Sequence, residues 1–556
     1  MFTRVKTVRA NGRTYQYVHI VENRWEQGKV RQRIVGSLGR LDVLQARGDL
    51  ERILTGLVEQ CPQVKLVRAE RAQALAIESD RVWGPVPVFE RLWEELGLAD
   101  LLRRLAQGSR LGFELERCAF ALVLQRLLKP ASDRAGARWL PTIHGAGFER
   151  LRLPHFYRTV GRLWRWKERI ETELFQRGRD LFNDGLDLFF FDTTSTYFEG
   201  TTWQGWAKLG KSRDRRPDHL QLVLGVVLRR DGLPVACEIW PGNMADVKTL
   251  VPILEALRKR FKIRKIVLVC DRGMVSAANL KAITKAGYQF IVGMRMRRAL
   301  EVRDEVLGRA GRYRVVQHNL QVKEVWVDAR RYVVCVNPER AEKDRQDREA
   351  ILEKLREKLA AGGIKRLINN RGYRRFLAVT RGEAGIDEAK VRADARYDGK
   401  YVLRTTTALP AVEVAEAYKQ LTWIERLWRE LKDVVEVRPI YHHQKKENVK
   451  GHIFSAFLAL CLGAALRRRL QDLWLREHPK APRPTPGAEP PRLPVPWDDL
   501  LQDLAQVRAV TVRLEEERYL LRTELKGHAG LAFRAVGVRP PPLAQALGAG
   551  AAPAKT

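Results

Sequence analysis

An α/β core interrupted by a mostly β insertion, with an N-terminal β-module and a helical region ahead of it, is the fold class this sequence predicts. Three observations carry the prediction. Short runs at 186–191, 265–270 and 288–293 are nearly all apolar, as strands covered on both faces are, and helix-period segments separate them. Between 297 and 400 the alternation breaks into short strand-like runs around one densely charged helix. Ahead of the core, residues 88–177 repeat apolar side chains every three or four positions, as in Phe89, Leu92, Trp93 and Leu96 and again in Ala119, Leu122, Val123 and Leu127.

Residues 1–75 form the β-module, with strand-like runs at 14–22 and 29–35 and turn residues at Asn11-Gly12. Residues 76–178 form the helical region, which is expected to bind DNA ends together with the β-module and the insertion. Within it, 150–169 holds seven Arg or Lys interleaved with Tyr157, Trp164 and Trp166. Such a helix either grips phosphates or lies solvated over an aromatic core. The first part of the core, 179–296, opens with the strand at 186–191 and continues with strands at 220–228 and 233–240, joined at the hairpin dipeptide Asp231-Gly232. A helix at 250–261, a strand at 265–270, a helix at 277–286 and a strand at 288–293 complete a meander running into alternating α/β.

The insertion, 297–400, has short strands at 313–316, 324–327 and 332–336 and a charged helix at 341–361 rich in i,i+4 pairs, and strand-like runs return over 373–405. The second part of the core, 401–475, holds long helices at 412–435 and 452–475. Residues 476–556 are a Pro-rich linker and C-terminal segment. Eight prolines fall between 479 and 497, a short helix lies at 497–507, a strand pair near 510–525, and the Pro/Ala/Gly-rich tail from 540 reads as disordered. There is no internal repeat.

The 556 residues hold 101 Lys+Arg against 66 Asp+Glu, a formal charge of +35. That much positive charge self-repels unless a polyanion lies against it, which points to nucleic acid; an Arg-rich composition without such a partner is the alternative. Hydrophobic residues make up 45%, with 14 Trp, 13 Tyr and 18 Phe, which excludes a disordered chain. Six scattered cysteines form no Cys-x-x-Cys pair, and the ten histidines, the tandem His442-His443 included, show no metal-ligand spacing. Neither a disulfide frame nor a zinc site is expected. The longest mostly apolar stretch, 453–466, is shorter than the roughly 20 residues that span a bilayer. Met1 leads into Thr3, Arg4 and Lys6 with no apolar h-region. A cytoplasmic protein without a membrane partner is expected.

Three acids sit where this topology would converge them. Asp192 ends the first buried strand, and Asp271 ends the strand at 265–270 and is followed by Arg272-Gly273. Ligands of open α/β sheets collect at the carboxyl ends of strands. Glu425 lies on the helix that re-enters after the insertion. Carboxylates are hard ligands suited to Mg²⁺ or Mn²⁺, and three of them together need a divalent cation to offset their repulsion. Tyr418, Glu425 and Lys432 are seven residues apart in turn, close to two helical turns, so one stripe would present all three. Leu421, Ile424, Leu427, Trp428 and Leu431 would dock this helix on the sheet. Asp187 falls on the opposite strand face from Asp192, and Glu430 lies well around the helix from Glu425, so both are disfavoured as ligands.

The motifs Phe191-Asp192-Thr193-Thr194, Cys270-Asp271-Arg272-Gly273 and Tyr418/Glu425/Lys432 resemble those of bacterial insertion-sequence transposases of the DDE type. The resemblance is to the insertion-sequence-four superfamily, whose third acid lies in a Tyr-x2-Arg-x3-Glu-x6-Lys signature. The Arg position of that signature is Leu421 here, a departure for which Arg426 or Arg429 would substitute. Pro241-Gly242-Asn243, Asp398-Gly399-Lys400-Tyr401, Arg438-Pro439 and Gly451-His452 also resemble the long-chain branch of that superfamily, and the likeness covers about residues 1–475.

The resemblance implies a ribonuclease H-like catalytic core with a β-rich insertion between the second and third acids. The gaps, 154 residues from Asp271 to Glu425 against 79 from Asp192 to Asp271, suit a module the size of 297–400. It also implies that Asp192, Asp271 and Glu425 are catalytic and hold two Mg²⁺ ions, with Mn²⁺ as a substitute. Lys432 would hold a phosphate near the cut, and Tyr418 would touch the backbone or a displaced base. The partners implied are double-stranded DNA, as terminal inverted repeats and as target, and a second copy in a homodimeric synaptic complex.

Among neighbouring residues, Thr193 and Thr194 would donate to phosphate or simply end the strand. Lys211, Arg213, Arg215 and Arg216 would track DNA or form a solvated basic loop, and Asp218 and Asp246 read as turn or cap residues. The resulting expectation is a transposase that cleaves at terminal inverted repeats and transfers the strands. A metal-dependent nuclease of the same fold that cuts without joining, or a catalytically inactive DNA-binding relic, are the alternatives.

Overall fold

The computed structural model describes residues 1–26, 29–60, 75–177, 187–199, 206–261, 266–361, 364–380, 383–429, 440, 445–480, 495–514 and 517–547. The chain divides into two compact units. One comprises the described residues among 1–78, 511–519 and 546–556, and the other those among 79–510 and 520–545.

The first unit is built on β1 (Phe2–Ala10), β2 (Arg13–Glu26) and β3 (Lys29–Arg40), an antiparallel sheet in that order, followed by α1 (Leu41–Ala46) and α2 (Asp49–Glu59). Asn11 and Gly12 both take positive φ, 50° and 72°, as a two-residue turn between right-twisted strands requires. Asn tolerates that conformation and Gly adopts it without steric penalty, so the register is set from the turn outward.

Strand β4 (Leu75–Val82) leads into the helices α3 (Pro85–Glu95), α4 (Leu98–Ala106), α5 (Leu115–Leu128), α6 (Asp133–Trp139), α7 (Leu153–Arg165) and α8 (Lys167–Arg177). Helix α5 is buried on every side from Leu115 to Leu127, and several of its polar side chains are paired internally. The Trp93 indole donates to Glu116 at 2.9 Å, and Arg126 holds Asp133 at 2.8 Å.

The sheet follows with β5 (Asp187–Tyr197), β6 (Gln221–Arg229), β7 (Pro234–Pro241), α9 (Asp246–Phe261), β8 (Ile266–Cys270), α10 (Ala277–Lys285) and β9 (Gln289–Gly293). Beyond these come β10 (Arg314–Gln317), β11 (Leu320–Val327), β12 (Arg330–Val336), α11 (Pro338–Ala360), α12 (Ile364–Asn369), α13 (Arg371–Arg374), β13 (Leu377–Thr380), β14 (Glu383–Ile386), α14 (Glu388–Ala395) and β15 (Lys400–Thr405). Nine of these strands form one mixed sheet in the order β10-β11-β12-β15-β9-β8-β5-β6-β7, with β5, β8 and β9 parallel and the remaining pairings antiparallel.

Alternation along β5 sends Phe190 to one core and Phe189 and Phe191 to another. One face is covered by α9 and α10. The other lies against the helical layer, whose centre is α17 (Lys446–Glu477), preceded in the chain by α15 (Ala411–Lys419) and α16 (Leu421–Arg429). The chain ends with α18 (Trp497–Ala505), β16 (Arg508–Leu514), β17 (Glu517–Arg522), α19 (Ala529–Val536) and β18 (Ala544–Leu547).

Several sequence expectations differ from this picture. The stretch 297–400 is less β-rich than expected: besides the charged helix, which is present as α11, it contains α12, α13 and α14, and its strands β10–β12 extend the central sheet through β15. The helical region shares one hydrophobic core with α17 and the sheet. Lys167, counted in the basic helix, is buried between Glu171 and Glu238. The long helix expected at 412–435 breaks at Gln420, where the backbone N–H is shared between Glu416 and Ala417. Part of the tail expected to be disordered carries β18. Helix α17 has the length and composition to cross a membrane, but 83% of its most apolar 18-residue window is buried inside the protein.

Candidate active site

The site is built where the parallel ladder of β5 and β8 stops. The last paired residues are Phe191 and Cys270, so Asp192 and Asp271 are the next residues on adjacent parallel strands. Beyond that point the two strands diverge in fate. Strand β5 continues to Tyr197 along β6, with Asp192 opposite Val226, so Asp192 lies within the strand and does not end it as the sequence reading had it. Strand β8 stops, and Asp271 precedes a single helical turn, Arg272–Met274.

The two carboxyls therefore have different surroundings. Asp271 is exposed. Asp192 is deeply set, and burial pushes its carboxyl up to about 6, with the Asp271 charge adding to the rise. The Arg213 charge, the Thr193 backbone and the Trp428 indole oppose that shift. Trp428 Nε1 donates to Asp192 Oδ2 at 3.2 Å. Trp428 is on α16, three residues after Glu425, so the helix that presents Glu425 is also bonded to the Asp192 strand.

Asp271 and Glu425 line one cavity of about 510 Å³ with Tyr418 and Tyr401. The Tyr418 hydroxyl donates to Asp271 Oδ1 at 3.0 Å. Burial, then the Asp271 charge, holds this phenol well above its ordinary range, so it is a donor at any working pH. The Tyr418 ring stacks on Tyr401, centroids 5.8 Å apart. Its hydroxyl reaches Asp271 because residue 293 is glycine: a Cβ there would collide with the Tyr418 oxygen. Tyr418 and Glu425 lie on different helices, α15 and α16, and not on one continuous stripe, yet both face this cavity. Lys432 lies outside the described residues.

Five cations, Arg272, Arg295, Arg297, Arg298 and Lys400, line the same cavity beside Met294, Met296 and Val402. None of these five was among the predicted site residues, although Met294-Arg295-Met296-Arg297-Arg298 directly follows the strand ending at Gly293 and is a legible basic run. Arg297 is paired with Asp394 at 2.8 Å.

Two of the expected DNA contacts are corrected. Thr193 is fully buried; alternation turns it away from Asp192 towards α9, where its hydroxyl donates to Asp246 at 2.8 Å and accepts from Arg213 at 3.2 Å. Thr194 is buried at 4% exposure, so neither threonine presents a surface to DNA. Asp246, read as a cap, is in the first turn of α9 and also holds Arg213 at 3.0 Å. Lys211, Arg213 and Arg215 are exposed in the loop before β6, Arg215 in the left-handed region at φ 57°, and Arg216 lies over the Tyr197 ring at 5.4 Å. Arg426 and Arg429 are exposed on α16.

Among the described residues, no group of three or more His, Cys, Asp or Glu side chains stands close enough to hold a metal ion. The donor chemistry nevertheless fits a hard divalent cation. The nearest thiol, Cys270, is buried and pushed up to about 12 by that burial; at Asp192 burial is the main cause of the rise, and the smaller repulsion from Asp271 is one that a cation would offset.

Comparison with known proteins adds the family. A model described as "Transposase DDE domain" matches residues 184–462, and one described as "IS1634 family transposase, N-terminal domain" matches residues 2–70. No curated protein matches the chain by sequence. Among solved structures, a piggyBac transposase synaptic complex with hairpin DNA aligns at 9% identity, covering 76% of this chain and 85% of that one with a TM-score of 0.32, a likeness too distant to build on. The DDE-domain match takes in half of the chain, including both carboxyl-bearing strands and the helix of Glu425, and by it the protein belongs to the DDE transposase family of insertion sequences.

Proposed function

We propose that this transposase is of the insertion-sequence-four type, with a ribonuclease H-like core in which Asp192, Asp271 and Glu425 are the three catalytic acids. The observation that carries the reading is the joint placement of Asp271 and Glu425 on one basic-walled cavity, with Asp192 one strand away and bonded to the helix of Glu425. Enzymes of the family work with divalent metal ions. In this reading the three carboxylates hold two Mg²⁺ ions, for which Mn²⁺ can substitute. When bound, the metal supplies Lewis-acid activation of the attacking oxygen and charge neutralisation at the leaving oxygen.

The chain's own residues do the rest. In cleavage, a water oxygen bonds to phosphorus as the bond to the 3′-oxygen of the element's end breaks. In strand transfer that 3′-hydroxyl attacks a target phosphorus and displaces another 3′-oxygen. Arg295, Arg298 and Lys400 hold the phosphates flanking the reacting one, and Lys432 holds a phosphate near the cut. Tyr418 orients the Asp271 carboxylate through its hydroxyl and contacts the DNA end. Arg426 and Arg429 stand in for the missing Arg of the signature, and Lys211, Arg213, Arg215 and Arg216 track the duplex. The working form is a homodimer pairing two repeat ends, acting in the cytoplasm. The module boundaries drawn from the sequence, from 1–75 to 476–556, are part of the same reading, with 76–178 contributing to the catalytic body's core.

The test is a cleavage-and-joining assay on duplexes carrying the element's flanking repeats, comparing wild type with Asp192→Asn, with and without Mg²⁺. Metal-dependent nicks at the repeat ends plus joined product, both lost in the variant, are expected. Cutting without joining would instead identify a nuclease of this fold, and undiminished chemistry from Asp192→Asn would remove Asp192 from the site.

A further inference from the structure

The ladder between β5 and β8 ends at Phe191 and Cys270, so it does not reach the next two residues, Asp192 and Asp271. Both segments are tied instead to the first turn of α9. On the Asp192 side, the Thr193 hydroxyl donates to Asp246 Oδ1 at 2.8 Å, and Arg213 Nη2 donates to both Thr193 and Asp246 at 3.2 and 3.0 Å. On the Asp271 side, Asn279 of α10 uses both protons of its amide nitrogen on carbonyls. One is that of Val247 in α9 at 2.7 Å, and the other is that of Met274, the last residue of the turn after Asp271, at 2.8 Å. The Met274 N–H closes that turn on the Asp271 carbonyl at 3.1 Å, so the turn moves as a unit.

The two arms meet at consecutive residues, Asp246 and Val247, of one helical turn. Thr193 and Asn279 are both buried, where a polar side chain is destabilising unless it is bonded. An apolar residue at 279 would fill the space without joining the two carbonyls, which takes a group with two donors. Thr193 faces the opposite side of β5 from Asp192, but the two residues share a planar peptide, so a shift of Thr193 carries Asp192 with it. The Asp271 turn is carried in the same way by Met274.

We propose that Asp246 and Asn279 are positioning residues of the reaction: with Thr193 they form a bracket through the first turn of α9 that sets the separation of the Asp192 and Asp271 carboxyls where the strand ladder no longer does. The inference rests on the transposase reading, in which those two carboxyls hold a divalent cation. The bracket acts only through Asp192 and Asp271, so its loss weakens metal binding and the chemical step and leaves duplex binding in place.

The test uses full-length variants: Thr193→Val, which keeps the shape without the hydroxyl; Thr193→Ser, which keeps the hydroxyl; Asp246→Ala; Asn279→Leu; and Asn337→Ala, which removes the side-chain cap of α11 as a control for lost stability. Each is measured for metal-free binding to a repeat duplex by fluorescence anisotropy and for Mn²⁺ binding by the EPR signal of the free ion. Single-turnover cleavage with Mg²⁺ is compared with wild type and Asp192→Asn. Thr193→Val, Asp246→Ala and Asn279→Leu should each lose about 10–100-fold in Mn²⁺ affinity and in cleavage rate, the usual range for a group that orients a metal ligand. Thr193→Val should bind duplex as wild type does. Thr193→Ser should recover most of the loss, and Asn337→Ala should match wild type in all three measurements. Thr193→Val and Asp246→Ala remove the same bond, so their double variant should fall little further than the lower single.

Mn²⁺ affinity and cleavage in Thr193→Val and Asn279→Leu no lower than in Asn337→Ala would overturn the inference, while cleavage by wild type and none by Asp192→Asn leave the transposase site standing. Thr193→Val that loses duplex affinity in step with cleavage would make this a DNA contact and also overturn it. If Asn279→Leu does not fold, the Thr193 pair decides alone. Full cleavage by Asp192→Asn would remove the site reading and the inference with it.

Discussion

Replacing Gly293 by Ala tests how the cavity is assembled. Gly293 is the last residue of β9, fixed opposite Leu403 and followed by the Met294 N–H bond to Val402 at 2.8 Å, so its backbone has little room to retreat. The added methyl would collide with the Tyr418 hydroxyl and then meet ring carbon Cζ at 3.0 Å and Cε2 at 3.4 Å, while Tyr401 stacks on the same ring. Overpacking of this kind costs about 1–3 kcal/mol. The displaced hydroxyl also loses Asp271, worth about 1 kcal/mol because the exposed carboxylate is rehydrated.

Gly293→Ala should therefore destabilise by about 2–4 kcal/mol and Tyr418→Phe by about 1 kcal/mol. In the Phe background the methyl meets only ring carbons at 3.0 and 3.4 Å, which yield by a few tenths of an ångström. The double variant should then lose about 2 kcal/mol, a coupling of about 1–3 kcal/mol. Urea unfolding of the four proteins measures it, and single-turnover cleavage should fall to a similar level in all three variants. Additivity within about 0.5 kcal/mol would refute the packing argument.

Two further perturbations follow from the buried core. Lys167→Met strips the buried Glu171 of a cation that holds it at 2.8 Å, leaving the Arg260 pair, and should destabilise by about 3–5 kcal/mol in the same unfolding assay. At Glu238, burial alone would raise the carboxyl, but the Lys167 and Arg260 charges outweigh it and hold the group below its ordinary value. Its stabilisation is thus complete above the unfolded glutamate pKa of about 4.3 and is lost as pH falls through the lower folded value, so Glu238→Gln should flatten the acid limb of stability against pH. Gly451→Ala would drive a methyl into the Val160 backbone carbonyl, where α17 crosses α7. It should cost about 2 kcal/mol or more, read as a lowered unfolding midpoint.

What was legible in the sequence follows the range of the interactions involved. The strands bearing Asp192 and Asp271 announce themselves because both their faces are buried, so nearly every residue from Leu188 to Phe191 and from Ile266 to Cys270 is apolar. The Asn11-Gly12 turn is legible because it depends on two adjacent residues. The helix break at Gln420 is not, because the apolar spacing of Val414, Ala417, Ile424 and Leu427 runs through it unbroken. Lys167 looked like a surface cation because its partner Glu238 is 71 residues away, and Thr193 looked free because Asp246 is 53 residues away. The strands at 320–336 were visible as strands, but their place in the central sheet depends on pairing with β15, which local pattern does not encode.

The position of α17 has a consequence for how the chain reaches this state. Its partners α5 and α7 are made early, yet α17 begins at Lys446, 318 residues after Leu128, and the buried bond between Arg126 and His452 closes a loop of 326 residues. At about 5–20 residues per second, a ribosome leaves the apolar flank of α5 without its cover for roughly 16–64 s. The nascent helices must either be shielded by a chaperone or remain loosely collapsed during that interval. A copy of the gene truncated before codon 446 would lack the helix that covers α5 and α7, so its catalytic unit would stay open along that flank and be a target for quality control.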